Sequence, residues 1–194
     1  MDHPLLLLCL SYLLGSIPTG LLLAKAFGVD IRATGSGNIG ATNVYRSAGR
    51  TLGVLTLAGD CLKGLIPVLA ARHLGLPEVW VAGAGLAAFL GHVYTVFLGF
   101  KGGKGVATAL GVFLGISPPA VGVALLIFVL VLLTWRYVSL GSIAAAAAMP
   151  LLVALFERRE VPVALTVVVA ALVVYKHKEN IQRLRDGTEN RFKA

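Results

Sequence analysis

An all-α, polytopic integral membrane helix bundle with about seven transmembrane helices is the fold class this sequence predicts. Three observations carry it. Of 194 residues, 57% are hydrophobic and 13% charged, where a soluble domain carries roughly 25% charged residues. Several apolar runs reach the roughly 20 residues needed to cross a hydrocarbon core of about 30 Å. The charges cluster between those runs, with Lys63 the one lysine placed inside one.

Helices are expected at about 4–24, 52–71, 78–98, 105–116, 118–135, 138–156 and 161–185, in a single membrane domain over 1–194. A cytoplasmic loop fills 25–51 and a tail fills 186–194, unordered after about Asp186. The first helix lacks a basic n-region and a small-residue cleavage site, so it reads as a retained helix rather than a cleaved signal. Gly15, Ser16, Pro18, Thr19 and Gly20 break its second half. Such residues survive in a spanning helix when neighbours satisfy the freed backbone, which predicts a kink or a close-packed end. The second helix carries Asp60 and Lys63, i,i+3 neighbours on one face. Charges in hydrocarbon pair or face a protein interior, so these two form a buried ion pair or touch a ligand. Ser117-Pro118-Pro119 should end one helix and start the next. The piece before it is too short to span alone. Cys9 and Cys61 lie in apolar runs and read as buried small hydrophobes, not as a disulfide or a zinc site.

Charge placement orients the bundle. With seven segments, one face receives Lys25, Arg32, Arg46, Arg50, Lys101, Lys104, Arg136 and the six basic residues of the tail. The other receives Arg72, Arg158 and Arg159. Fusing 106–135 into one helix would divide the charges evenly. The positive-inside tendency therefore favours seven segments, with the N-terminus outside and the C-terminus cytoplasmic. The formal charge of +8 then reads as membrane orientation plus anion binding. Nucleic-acid binding would need an extended basic face with interleaved aromatics, which the chain lacks.

On this topology three polar islands share the cytoplasmic face. Lys101-Gly102-Gly103-Lys104-Gly105 packs three glycines and two lysines into five residues. Glycine accepts φ > 0 and lets N–H groups converge on an anion, and a helix starting just after adds its positive dipole end. The spacing from Gly99 is one residue short of a Walker motif, and Gly105 stands where a Ser or Thr would hold magnesium. Nucleotide binding is disfavoured. The island from Gly35 to Asn43, with Arg46 following, offers Ser36, Asn38, Thr42 and Asn43 as hydrogen-bonding groups and a guanidinium suited to bidentate phosphate contact. In the third island His177 and Asn180 are i,i+3 and share a helix face, as are Ser139 and Ser142 upstream. Spacing alone supplies no base or orienting group for a serine nucleophile. No His-x-x-x-x-Asp and no dense His/Asp cluster appears.

The runs Gly35-Ser36-Gly37-Asn38-Ile39-Gly40-Ala41-Thr42-Asn43-Val44-Tyr45-Arg46, Gly91-His92-Val93-Tyr94 through Phe100-Lys101-Gly102-Gly103-Lys104-Gly105-Val106-Ala107-Thr108, and His177-Lys178-Glu179-Asn180-Ile181-Gln182-Arg183-Leu184 closely resemble the three motifs of the bacterial acyl-phosphate-dependent glycerol-3-phosphate acyltransferases, small integral membrane enzymes. The resemblance covers essentially the whole chain and extends to Asp60-Cys61-Leu62-Lys63-Gly64.

The resemblance implies transfer of a fatty acyl group from acyl phosphate to the 1-hydroxyl of glycerol 3-phosphate, the first acylation step of phospholipid biosynthesis. It places the site at the cytoplasmic face of the cell (inner) membrane. Ser36, Arg46, Lys104, Ser142, His177 and Asn180 are the expected catalytic group. Gly37, Asn38, Gly40, Thr42, Asn43, His92, Lys101, Gly102, Gly103, Gly105, Thr108, Ser139 and Glu179 are the expected substrate-binding group. No metal and no cofactor are expected. The partners are the two substrates and the lipid bilayer; the oligomeric state is left open, with a monomer as one option. Two rivals share some features. An organic-phosphate carrier would use the same basic loops, but the chain shows no internal inverted repeat. A scaffold anchored on anionic lipid by the basic tail leaves the density of Gly, Ser and Asn unexplained.

Overall fold

The structure is a computed structural model that describes residues 4–192. It is helical throughout, with no strand among the described residues. Its contacts divide the chain into two compact units, Met1–Gly115 and Ile116–Ala194.

In the first unit, α1 (Pro4–Ser16) and α2 (Thr19–Ala26) form one broken apolar run. Then come α3 (Ala41–Ala48), α4 (Arg50–His73), α5 (Glu78–Val93), a 3₁₀ turn (Val96–Leu98) and α6 (Val106–Ile116). Small residues let these helices touch backbone to backbone. A Cβ on Gly15 would enter the Ala88 carbonyl of α5, and one on Gly91 would enter the Tyr12 carbonyl of α1. Gly111 of α6 rests in the same way on the Cys61 carbonyl of α4. The expected break in the first helix falls at Ile17-Pro18, and polar side chains fasten it. Thr95 Oγ1 donates to the Ser16 carbonyl at 2.6 Å, and Lys63 Nζ donates to the Ile17 carbonyl at 2.8 Å.

The polar stretch 25–51 is more ordered than a loop. It contains α3, whose buried Val44 joins Ala24, Ile31, Ile39 and Leu52 in a small apolar nucleus. Ala41, Val44, Tyr45 and Ala48 carry the i, i+3, i+4, i+7 spacing of an amphipathic turn. Eight residues are too few to stand as a helix without that packing.

The second unit contains α7 (Pro118–Trp135), α8 (Val138–Glu157), α9 (Glu160–Lys176) and α10 (Lys178–Arg185). Pro118 opens α7, its missing N–H costing nothing in the first helical turn. Arg136 and Arg158 close α7 and α8 in the left-handed conformation. The short turns make α8 the neighbour of both α7 and α9. The last expected helix is two, α9 and α10, bent by 55°. The tail, expected to be unordered after about Asp186, is ordered through residue 192. Glu189 is buried, and the Phe192 N–H donates to the Arg136 carbonyl at 2.6 Å. Residues 193–194 of the tail lie outside the described residues.

Among the described residues, five helical runs are long and apolar enough to cross a membrane, and the bent pair makes six. The seventh apolar segment, α6, has 11 residues, about 16 Å. Large apolar side chains point outward along the spans, Leu133 at 73% and Leu5 at 67% exposed among them. In water such a surface would be a liability; in a bilayer it faces lipid. Cys9 is among the outward residues and Cys61 is half-buried, so the two thiols are not the fully buried pair expected.

Candidate active site

The first unit brings two of the three islands together. The glycine loop 101–105 lies flat on the end of α5. The Gly102 N–H donates to the Val93 carbonyl at 3.2 Å, and the Gly103 N–H donates to the His92 carbonyl at 3.1 Å. A side chain on Gly102 would strike the His92 carbonyl, one on Gly103 the His92 Nε2, and one on Gly105 the Phe89 ring. Glycine is required here for close approach, and at Gly105 also for a φ of +81°. The sequence alone suggests that several of the glycine-loop N–H groups converge on an anion. Two of them are instead spent on α5, which leaves the start of α6 as the place beside the loop where amides open a helix. Ala109 is the first α6 amide shown with a helical acceptor, the Gly105 carbonyl at 2.7 Å. The amides of Val106, Ala107 and Thr108 precede it at the positive end of the helix. Lys104 is half-buried and Lys101 exposed at the loop, while the buried Thr108 hydroxyl has no hydrogen-bond partner among the described residues.

Asn43 organises the first island. Its Nδ2 donates to the carbonyls of Ile31 (2.8 Å), Asn38 (2.8 Å) and Thr34 (3.2 Å), and its Oδ1 accepts the Ser36 N–H at 2.8 Å. A residue expected to orient substrate thus has both ends of its amide engaged by the loop. Asn38 Oδ1 accepts the Gly40 N–H at 2.8 Å, and Gly35 and Gly37 turn the chain at positive φ. The Ser36 and Arg46 side chains are left exposed, with Thr42 half-buried in the first turn of α3. Arg32, which no sequence motif singled out, ties the two islands: its guanidinium donates to the Lys101 carbonyl at 3.0 Å.

The second unit holds a separate polar centre. His177, 3% exposed, places Nδ1 2.7 Å from the Val173 carbonyl. A carbonyl only accepts, so Nδ1 carries the hydrogen. Ser142 Oγ donates to the Val138 carbonyl at 2.9 Å. Ser139 Oγ and Asn180 Nδ2 both donate to Glu189 Oε1, each at 2.7 Å, and Arg183 Nε donates to Glu189 Oε2 at 2.7 Å. Burial pushes the Glu189 carboxyl up, but the hydrogen bonds from Ser139, Arg183 and Asn180 outweigh it and hold it below the usual carboxylate range. Glu179, expected at the site, is exposed on α10. Glu189 is the residue that no sequence motif singled out. Its only local signal is a carboxylate after Gly187 in a basic segment.

Apolar helices with lipid-facing surfaces define an integral membrane protein, with a lysine-bearing glycine loop seated at the start of one helix. The model of the glycerol-3-phosphate acyltransferase family matches residues 5–187. The glycerol-3-phosphate acyltransferase of Geotalea daltonii is 72% identical over 193 residues, and that of Geobacter sulfurreducens 69% over 194, each covering 100% of both chains. Two crystal structures of PlsY, an integral membrane glycerol 3-phosphate acyltransferase, superpose on the chain. The glycerol 3-phosphate form has a TM-score of 0.94 at 45% identity, and the lysophosphatidic acid form 0.92 at 44%; each match covers 99% of this chain and 96% of that one. This chain belongs to the glycerol-3-phosphate acyltransferase family and is an integral membrane acyltransferase.

Proposed function

We propose that the protein transfers a fatty acyl group from acyl phosphate to the 1-hydroxyl of glycerol 3-phosphate, giving 1-acyl-glycerol 3-phosphate and inorganic phosphate. The observation that carries this is the glycine loop 101–105, seated on α5 and opening onto the N-terminus of α6 with Lys104 beside it. Such a loop suits a phosphate group, and both substrates carry one. The relative solved with glycerol 3-phosphate and with lysophosphatidic acid supports the acceptor and the product.

Acyl phosphate is a mixed anhydride and is already activated. The glycerol oxygen attacks the acyl carbon, the new ester C–O bond forms, the anhydride C–O bond breaks, and the hydroxyl proton leaves on the departing phosphate. The protein's part is to hold two anions side by side and neutralise developing charge. Lys104, Arg46 and Ser36 bind phosphate in this reading. Ser142, His177 and Asn180, expected from the third motif and the serines upstream of it, are the further polar groups of this reading. The acyl chain stays in the bilayer, and the reaction takes place at the cytoplasmic face of the inner membrane.

The donor is tested by offering the purified protein palmitoyl phosphate or palmitoyl-CoA with glycerol 3-phosphate. Acylation from the phosphate alone is expected. Equal turnover from the thioester would overturn the donor assignment, and trapping of an acyl-enzyme would overturn direct transfer.

A further inference from the structure

His92 stands at the junction of the glycine loop and a buried ionic group. It is 4% exposed at the end of α5. On one side its carbonyl accepts the Gly103 N–H, and its ring lies where a Gly103 side chain would be. On the other side His92 Nδ1 is 3.6 Å from Asp60 Oδ1, an ion-pair separation too long for a hydrogen bond. The same Asp60 oxygen lies 2.7 Å from Lys63 Nζ, and Lys63 reaches the Ile17 carbonyl at the break between α1 and α2. A polar path therefore runs from that break through α4 and α5 to the loop. Ionisable groups are costly to bury, and apolar side chains would fill the same space. Asp60 and Lys63 were open to reading as a ligand contact; here they face His92 and the backbone of Ile17.

We propose that His92, held by Asp60 and Lys63, is a positioning residue for the 101–105 loop. It sets how closely Gly102 and Gly103 lie on α5, and so where Lys104 and the first amides of α6 stand. None of the three touches substrate. The inference rests on the reading of this loop as the phosphate-binding element.

The test is a double-mutant cycle on the full-length enzyme in detergent, with KM measured separately for glycerol 3-phosphate and palmitoyl phosphate. Gly103→Ala should raise one KM by about 10–100-fold, because its methyl group displaces the loop from the His92 ring. In Gly103→Ala/His92→Ala the ring is gone, and that KM should return to within about threefold of His92→Ala alone. His92→Gln, which keeps a polar nitrogen near the Nε2 position, should stay within about threefold of wild type. Asp60→Asn should raise the same KM with kcat within about threefold. Additive effects of Gly103→Ala and His92→Ala, or an Asp60→Asn variant altered only in melting temperature, would overturn the inference. Lys104→Ala separates the two levels. If it is inactive while the cycle is additive, positioning alone fails; if it keeps wild-type KM and kcat, the phosphate-loop reading fails as well.

Discussion

The carboxylate of Glu189 accepts the Ser139 hydroxyl at 2.7 Å, fastening the C-terminal segment to a helix that begins fifty residues upstream. Asn180 and Arg183 complete the carboxylate's partners. Glu189→Ala would leave the Ser139 hydroxyl and the Asn180 amide buried without that acceptor. An orphaned buried polar group costs about 1–3 kcal/mol, so the detergent-solubilised variant should melt several degrees lower. The pH dependence follows from the same contacts. The folded carboxyl titrates below its ordinary value of 4.5. Its stabilisation is therefore fully present above pH 4.5 and is lost as pH falls through the folded value. Melting curves of wild type against Glu189→Gln should converge as pH drops below about 4.5.

Asn43 holds four backbone groups of the first island with one side chain. Asn43→Asp removes the donors while keeping size, leaving the Ile31 and Asn38 carbonyls without this partner. Amide hydrogen exchange in residues 31–38 should speed up by about tenfold, as expected for a local loss near 1.4 kcal/mol. Exchange in α4 should be unchanged. Uniformly faster exchange across both regions would show a global effect instead.

Lys104→Ala should abolish acyl transfer while the protein remains extractable and helical in detergent. If the site holds two phosphates as proposed, removing one preorganised charge costs about 100-fold or more in kcat. Normal turnover would remove Lys104 from the site.

Two glycines separate packing from propensity. Gly111 touches the α4 backbone at Cys61, whereas nothing lies within 4 Å of a side chain added at Gly122. Gly111→Val should sharply lower the yield of folded protein, because α6 can no longer seat on α4. Gly122→Ala should be neutral or stabilise by about 0.5–1 kcal/mol through helix propensity. Thermal melting in detergent checks both.

The helices were legible because each apolar run carries its own length and its own punctuation. Ser117-Pro118-Pro119 ended α6 and opened α7 where proline chemistry requires it. The resemblance in three motifs pointed to the family that the whole-chain matches show. Less visible were the relations between distant residues. Gly102 and Gly103 look like an anion nest when read locally, and only the position of His92, about ten residues earlier, shows that their N–H groups face α5. Asn43 looks like a substrate ligand until Ile31, Thr34 and Asn38 are seen to take its amide. The tail looks unordered because its partners, Ser139 and Arg136, lie far upstream. Helix α3 hid in a polar loop because eight residues carry too little periodicity without the nucleus they pack on.

The central claim is acyl transfer from acyl phosphate, and phosphate release tests it most directly. Purified protein is given palmitoyl phosphate with and without glycerol 3-phosphate, and phosphate and lysophosphatidic acid are both quantified. Release that requires glycerol 3-phosphate and matches lysophosphatidic acid mole for mole is the predicted result. Release without the acceptor would mark a hydrolase, and no release in either case would contradict the account.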